Sequence, residues 1–375
     1  MAIRIVHTAD NHLGLPFRSC DDATRAALTD ERFAALDRLV DTANQRQADF
    51  FVVAGDLFDS TRVKAADVER AASILAGFAG TAVLVLPGNH DFCSGPDTEV
   101  WKRFRKATAS TGTIELLDQP TVVRYDVNGQ PIEFFPCPCP SKTGREPATG
   151  WVYEADLNPA ALRIGIAHGN VDGLGLDAAD RYFTMAAADL EKAGLATWLL
   201  GHIHVPFPAS DRGTHSPFFM AGIHTPDSVR CRHAGSAWLL ECSGTQLNRY
   251  ERLSPGKIRF IRLTETLSST VDIDRLEAAC LALEAATTVL DLQLTGRLNA
   301  ADRQKLETVL TRLRPLFLSL TVELDLHEQI DRERIAATYA SGGLAERLLS
   351  RLVDDKNHPD AVTLAHDLIQ EVTGR

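Results

Sequence analysis

Phe50-Phe51-Val52-Val53-Ala54 runs straight into Gly55-Asp56-Leu57-Phe58-Asp59. An uninterrupted apolar run bounded by a turn residue predicts a buried strand. The acidic residues that follow sit at its carboxyl end. Four further segments repeat this pattern. Ile3-Arg4-Ile5-Val6-His7-Thr8 leads to Asp10-Asn11-His12, and Ala82-Val83-Leu84-Val85-Leu86 leads to Gly88-Asn89-His90-Asp91. Leu162-Arg163-Ile164-Gly165-Ile166 leads to Ala167-His168-Gly169, and Trp198-Leu199-Leu200 to Gly201-His202-Ile203-His204. Between the first three strands, Phe33, Leu36, Leu39, Val40 and Ala43, then Val68, Ala71, Ala72, Leu75 and Phe78, recur at helical spacing. Alternating strands and helices predict α/β layering. Ligands of such folds bind beyond the carboxyl ends of the strands, so all five motifs can converge on one cleft.

The chain has 375 residues, more than one core usually holds, which predicts two domains. Its hydrophobic content of 45% is that of a soluble globular protein. No apolar stretch is long enough to span a membrane, and none resembles a signal peptide. The seven cysteines form no CxxC pair, which predicts a reduced, cytoplasmic protein. Cys137-Pro138-Cys139 is expected on a surface loop.

The first domain is predicted over residues 1–265, with Ile258 to Leu263 as its last strand. The second, 271–375, is predicted to carry helices at 272–286 and 299–313 and strands at 289–294 and 316–326. Two helical patterns, 332–353 and 360–372, close the chain. The formal charge is −11 overall, and 12 Lys+Arg against 18 Asp+Glu make the second domain acidic too. That argues against a DNA-binding module there, because phosphate contacts need a basic footprint. Trp101-Lys102-Arg103-Phe104-Arg105-Lys106 is a local exception. It fits either an amphipathic helix with Trp101 and Phe104 inward or a contact to a DNA backbone.

The motifs hold the residues of a two-metal site. Asp56 offers two oxygens and is the natural bridge. Asp10 and His12 can aim at one ion, His202 and His204 can reach different ions, and Asn89 and His168 complete the second. Asp59 reads as a cap of its loop, outside the ligand set. Oxygen and imidazole ligands without thiolate suit Mn²⁺, Fe²⁺ or Zn²⁺. Two ions about 3.5–4 Å apart lower the pKa of a shared water and clamp phosphate oxygens, the chemistry of phosphoester hydrolysis. His90 can protonate the leaving oxygen, and Asp91 can orient its ring. Arg230, Arg232 and His233 follow the last motif, in a segment that also holds His215 and His224. They belong either to a solvated loop or to a contact with substrate phosphates.

These motifs resemble the calcineurin-like metallophosphoesterase superfamily. Within it, His7 to Gly14 and Gly55 to Asp59 resemble the SbcD and YhaO branch of DNA double-strand-break repair nucleases. His168 to Gly173 and Trp198 to His204 are similar to YhaO-type proteins in particular. The resemblance covers roughly residues 1–265. It implies a four-layer αββα sandwich with a smaller C-terminal α/β cap and two metals, usually Mn²⁺. It assigns Asp10, His12, Asp56 and His204 to one ion and Asp56, Asn89, His168 and His202 to the other, with His90 as proton donor. The implied activity is DNA cleavage, of the 3'-5' exonuclease type and endonucleolytic. The implied partners are DNA and an SMC-like coiled-coil ATPase of the SbcC or YhaN kind, and a homodimer is compatible with it. Ala221-Gly222-Ile223-His224-Thr225-Pro226-Asp227 departs from the family's usual wording. A phosphodiesterase or phosphatase for nucleotides or other small phosphoesters would use the same site. A non-catalytic scaffold would tend to lose ligands, and this chain keeps them.

Overall fold

A computed structural model describes residues 2–174, 181–355, 358 and 361–373. The strands are β1 (Ile3–Thr8), β2 (Phe50–Ala54), β3 (Ala82–Leu86), β4 (Ile114–Leu116), β5 (Val123–Val127), β6 (Gln130–Cys137), β7 (Leu162–His168), β8 (Thr197–Gly201), β9 (Arg212–Gly213), β10 (Phe218–Met220), β11 (Ala237–Ser243), β12 (Gln246–Leu253), β13 (Arg259–Leu267), β14 (Thr288–Leu298) and β15 (Ser319–Glu328). The chain folds as two compact units, residues 1–259 and 260–375.

The first unit contains a seven-stranded sheet, ordered β4-β3-β2-β1-β11-β12-β9, and a five-stranded sheet, ordered β10-β8-β7-β6-β5. The strands β1, β2 and β3 run parallel, as do β6, β7 and β8. The period-2 alternation of a strand sorts its side chains between layers. On β2, Phe51 and Val53 join a core with α1 (Asp22–Gln45), α2 (Ala65–Leu75) and α3 (Glu99–Thr108), where Phe33, Leu36, Val68, Ala71, Trp101 and Phe104 meet them. Phe50, Val52 and Ala54 face the other way, into a core between the sheets, against Ile132, Phe134, Ile164 and Leu199. The far face of the second sheet, including Phe135, Ala167, Trp198 and Leu200, is covered by α4 (Ala187–Lys192) and the 3₁₀ turn at Gly150–Glu154. That is the four-layer αββα order. Each fully buried Phe, Val or Leu contributes about 1.5–3 kcal/mol.

The second unit packs α5 (Thr270–Leu281) and α6 (Ala300–Leu313) on a three-stranded sheet, ordered β13-β14-β15, through Ile273, Leu276, Leu290, Leu292, Leu306 and Val309. The helices α7 (Arg332–Thr338), α8 (Leu344–Val353) and α9 (Ala361–Thr373) bury Ile335, Leu349 and Val362 together. The strand predicted as the last of the first domain is therefore the first of the second. Its alternation is clear, but nothing local names its partner strand. The single helix predicted over 332–353 is broken into two: Tyr339, in extended backbone, ends α7, and Gly342, at φ 78°, turns the chain into α8. The predicted start of the last helix at residue 360 lies outside the described residues. Its apolar stripe is split: Val362, Ala365 and Ile369 pack inward, while Leu364, Leu368 and Val372 are exposed.

Two other expectations are corrected. Cys137 and Cys139 are fully buried, because Cys137 ends the interior strand β6 and the Cys139 thiol donates to the His168 carbonyl at 3.3 Å. Burial pushes the Cys137 thiol up to about 12. The segment from Ala221 to Pro226 is buried as well, with His224 Nε2 2.8 Å from the Arg32 carbonyl, so it is no solvated loop. The basic run does form an amphipathic helix: Trp101 and Phe104 are inward, Arg103 pairs with Glu99, and Arg105 pairs with Asp118.

Candidate metal centre

The ligand loops begin where the strands stop, and their backbone is strained. Asp10, His12, Asp56 and His202 have φ of 52°, 42°, 52° and 101°. Each such non-glycine residue costs about 1–3 kcal/mol, which the surrounding fold must hold in place. The Asp10 amide donates to the Gly55 carbonyl at 3.1 Å and the His12 amide to the Asp56 carbonyl at 2.9 Å, locking the first two motifs together. Gly55 has φ 91°, and a Cβ there would stand 2.0 Å from His168 Nδ1, so only glycine lets the two sheets bring these loops together.

Three groups of side chains bring one ligand atom each within 4.8 Å of one another: Asp10, His12 and His204; Asp10, Asp56 and His168; and His12, Asp56 and His90. Asp56 spans them. Its Oδ1 accepts the His90 amide at 2.8 Å, while Oδ2 lies 3.3 Å from His168 Nε2 and 3.7 Å from His12 Nε2. The Asn89 Oδ1 lies 3.0 Å from both His168 Nε2 and His202 Nδ1. Both Asp10 oxygens accept the His202 amide, at 2.9 and 3.0 Å. The seven predicted ligands are thus gathered at one place from both sheets.

The donor set fits cations. His168 Nδ1 faces the Ala54 carbonyl at 2.9 Å, which accepts only, so that nitrogen carries the proton. Its Nε2 faces the Asn89 and Asp56 oxygens at 3.0 and 3.3 Å, an arrangement that needs a positive charge there: a proton on Nε2, or a metal cation in its place. The electrostatics agree. Burial lowers the His168 pKa, but the charge of Asp56 overrides it and raises the group to about 9. Burial alone would raise the Asp56 carboxyl, yet His168, His12 and His90 hold it below the usual range. Burial drives His202 down to about 3 and lowers His12, leaving both imidazoles neutral and able to ligate. Carboxylate, amide and imidazole without thiolate suit Mn²⁺, Fe²⁺ or Zn²⁺.

Two sequence expectations are revised here. Asp91 does not orient His90. Its Oδ2 accepts the Phe58 amide at 2.9 Å and its Oδ1 the Gly88 amide at 2.7 Å, so it splices the second and third motifs. Burial first, then the charge of Asp56, pushes Asp91 up to about 8. His90 is held by the Asp59 carbonyl, 3.0 Å from Nδ1, which leaves Nε2 free to act. His233 Nε2 lies 2.9 Å from the His204 carbonyl, supporting a ligand's backbone, while Arg230 and Arg232 are exposed.

Other residues escape the sequence analysis in their roles. Asp59 is more than a loop cap, since its Oδ1 lies 3.5 Å from His12 Nδ1. Asp227 Oδ2 lies 3.6 Å from His204 Nδ1; burial of the imidazole lowers its pKa, but the Asp227 contact outweighs this and raises it. Such carboxylates fix imidazole orientation and strengthen it as a ligand. Buried Arg32 donates from Nε to the Asn11 and His12 carbonyls at 2.9 and 3.2 Å. The acid three residues after Asp56 is a usable signal for Asp59. Asp227 and Arg32 lie in an irregular loop and a long helix, and only folding brings them to the site.

The model of the calcineurin-like phosphoesterase family matches residues 3–206, and the chain belongs to this family. It is 29% identical to YhaO of Bacillus subtilis, an uncharacterized metallophosphoesterase, over 54% of this chain and 48% of the relative. It is 25% identical to the DNA double-strand break repair protein Mre11 of Aeropyrum pernix, over 64% of this chain and 58% of that one. The chain thus spans about half the length of the curated relatives it matches. A crystal structure of TT1561 of Thermus thermophilus aligns with TM-score 0.40 at 13% identity, covering 60% of this chain and 90% of that one. The family is that of the calcineurin-like phosphoesterases, and the side-chain groups that could hold metal ions fit a metal-dependent phosphoester hydrolase. Among the described residues no helix is long and apolar enough to cross a membrane.

Proposed function

We propose that this phosphoesterase is a DNA nuclease that acts with two Mn²⁺ ions. The observation that supports DNA as substrate is the similarity, over 64% of the chain, to a relative named as a DNA double-strand break repair protein. Asp10, His12, Asp56 and His204 would hold one ion, and Asp56, Asn89, His168 and His202 the other. When bound, the ions polarise the phosphate and acidify a water. The chain's residues do the rest. Asp56 shares its carboxylate between the two ligand sets, and Asp59 and Asp227 keep His12 and His204 in orientation. His90, its Nδ1 on the Asp59 carbonyl, gives a proton from Nε2 to the leaving oxygen, worth about 10²–10⁴ in rate.

His90 also belongs to one potential ligand group, and its substitution separates the two roles. For His90→Gln we expect two ions still bound, with the rate loss largest for poor leaving groups. A loss of metal with equal slowing of all substrates assigns His90 to the ligands. The substrate is tested with Mn²⁺-loaded protein on linear duplex DNA, single-stranded DNA and a small aryl phosphodiester. Turnover of the aryl ester with both DNAs intact would establish the small-phosphoester reading instead. We also propose an SMC-like coiled-coil ATPase as partner. Exposed Leu344, Leu348, Leu364 and Leu368 on α8 and α9 support it.

A further inference from the structure

Beside the metal centre, the loop from β1 to α1 and the loop from β2 to α2 enclose a groove of about 510 Å³. Among its lining residues are Arg18, Arg25, Arg62 and Lys64, with Asp59 and Asp67. Resting on the nuclease reading, we propose that this groove is the leaving-strand subsite. It binds the phosphodiester next to the scissile one, on the side that His90 protonates.

The groove is built into the fold. Leu13 and Phe58 form a parallel bridge, and the Asp59 amide donates to the Leu13 carbonyl at 3.0 Å. Gly14, at φ 87°, has Val63 Cγ1 where a Cβ would come within 2.9 Å, so the two walls interlock. It is also continuous with the catalytic groups. Asp59 lines it while its carboxylate faces His12 at 3.5 Å and its carbonyl holds the His90 ring at 3.0 Å. The proton donor and the groove share this residue, so the oxygen that receives the proton departs toward the groove.

Its charges are unsatisfied. Arg25 is paired with Asp22 at 2.7 Å, but Arg18, Arg62 and Lys64 make no ion pair among the described residues. On α3, by contrast, Arg103 and Arg105 both have acid partners. In a chain of net charge −11, three unpaired cations around one cavity are a focused positive site. Asp59 and Asp67 reduce its charge without cancelling it, and Asp59 is turned to His12. The volume suits a nucleotide-sized group. An internucleotide leaving group carries another phosphate into the groove, whereas nitrophenol carries none.

The test compares wild type with R18Q/R62Q/K64Q on three substrates: bis(p-nitrophenyl) phosphate, an oligothymidylate whose terminal phosphate bears p-nitrophenol, and plain oligothymidylate. Release of nitrophenol from the first two should stay within about twofold of wild type. Cleavage of the third should fall about tenfold at moderate salt, and its dependence of log kcat/KM on log salt should flatten by about 2, since each single-strand phosphate contact contributes roughly 0.7. Equal losses on the second and third substrates would overturn the leaving-side assignment, and unchanged cleavage of the third would overturn the groove. A wild type that hydrolyses the first but never the third refutes the nuclease reading itself. Should the triple variant lose the first substrate through misfolding, exposed K64Q alone must flatten the salt dependence by about 0.7, and no change there overturns the proposal.

Discussion

Nε2 of His12 stands 3.2 Å from Nε2 of His204, a residue 192 positions further along the chain. Burial lowers the His12 pKa while Asp227 raises that of His204, so the neutral His12 ring accepts a proton shared from His204 where a bound cation would otherwise sit between the two nitrogens. Asp59 and Asp227 stand at the far nitrogens of the two rings and hold them in this pose.

From this relationship we expect Mn²⁺ to stabilise the fold, by about 2.7 kcal/mol when free metal is a hundredfold above its Kd. His204→Ala should bind one ion fewer and show a smaller rise in Tm. Calorimetry with metal analysis checks this; two tightly bound ions in the variant would remove His204 from the ligand set.

Asp91→Asn should act on the scaffold before the chemistry. Its oxygens accept the Phe58 and Gly88 amides, and an amide group can satisfy only one of them. Loss of a buried partner costs about 1–3 kcal/mol. Denaturant unfolding should show that cost, without the leaving-group dependence expected for His90→Gln. A variant of wild-type stability with slowed turnover of poor leaving groups would return Asp91 to the role of orienting His90.

Gly55→Ala should disable the second ion's site. The new methyl would need the space of His168 Nδ1, 2.0 Å away, and the backbone is in the left-handed region. The outcome should be loss of one bound metal and of nearly all turnover. Full metal content in Gly55→Ala would show that His168 relocates without cost.

Acid should destabilise the chelated protein through histidines that the fold holds neutral. His7 is fully buried, and burial lowers its pKa to about 3, with His202 lowered to about 3 as well. The unfolded chain takes up these protons below its ordinary value of about 6.5, while the folded chain refuses them until about pH 3. Stability from these groups is therefore whole above pH 6.5 and lost progressively as pH falls toward 3, by about 1.4 kcal/mol per pH unit for each group. His7→Leu should reduce the slope by one proton's worth in unfolding measurements between pH 6.5 and 4; an unchanged slope would show that His7 is protonated in the fold.

The sequence by itself determined the strands that carry the motifs, the α/β layering implied by their alternation with helices, and the seven residues offered as ligands. These are local signals: an apolar run of period 2, a turn glycine and an acid or imidazole at the strand end occupy neighbouring positions in the chain. Only the tertiary structure decided what Asp91, Asp59, Asp227 and Arg32 do, since each acts on a residue far along the chain and carries no periodicity of its own. It also placed the strand after Arg259, Phe260 to Leu267, in the second unit, because which strand pairs with which is settled by non-local hydrogen bonds. The burial of Cys137, Cys139 and His224 has the same origin. A short polar or proline-containing segment looks solvated in sequence, and it becomes interior only when elements distant in the chain pack over it.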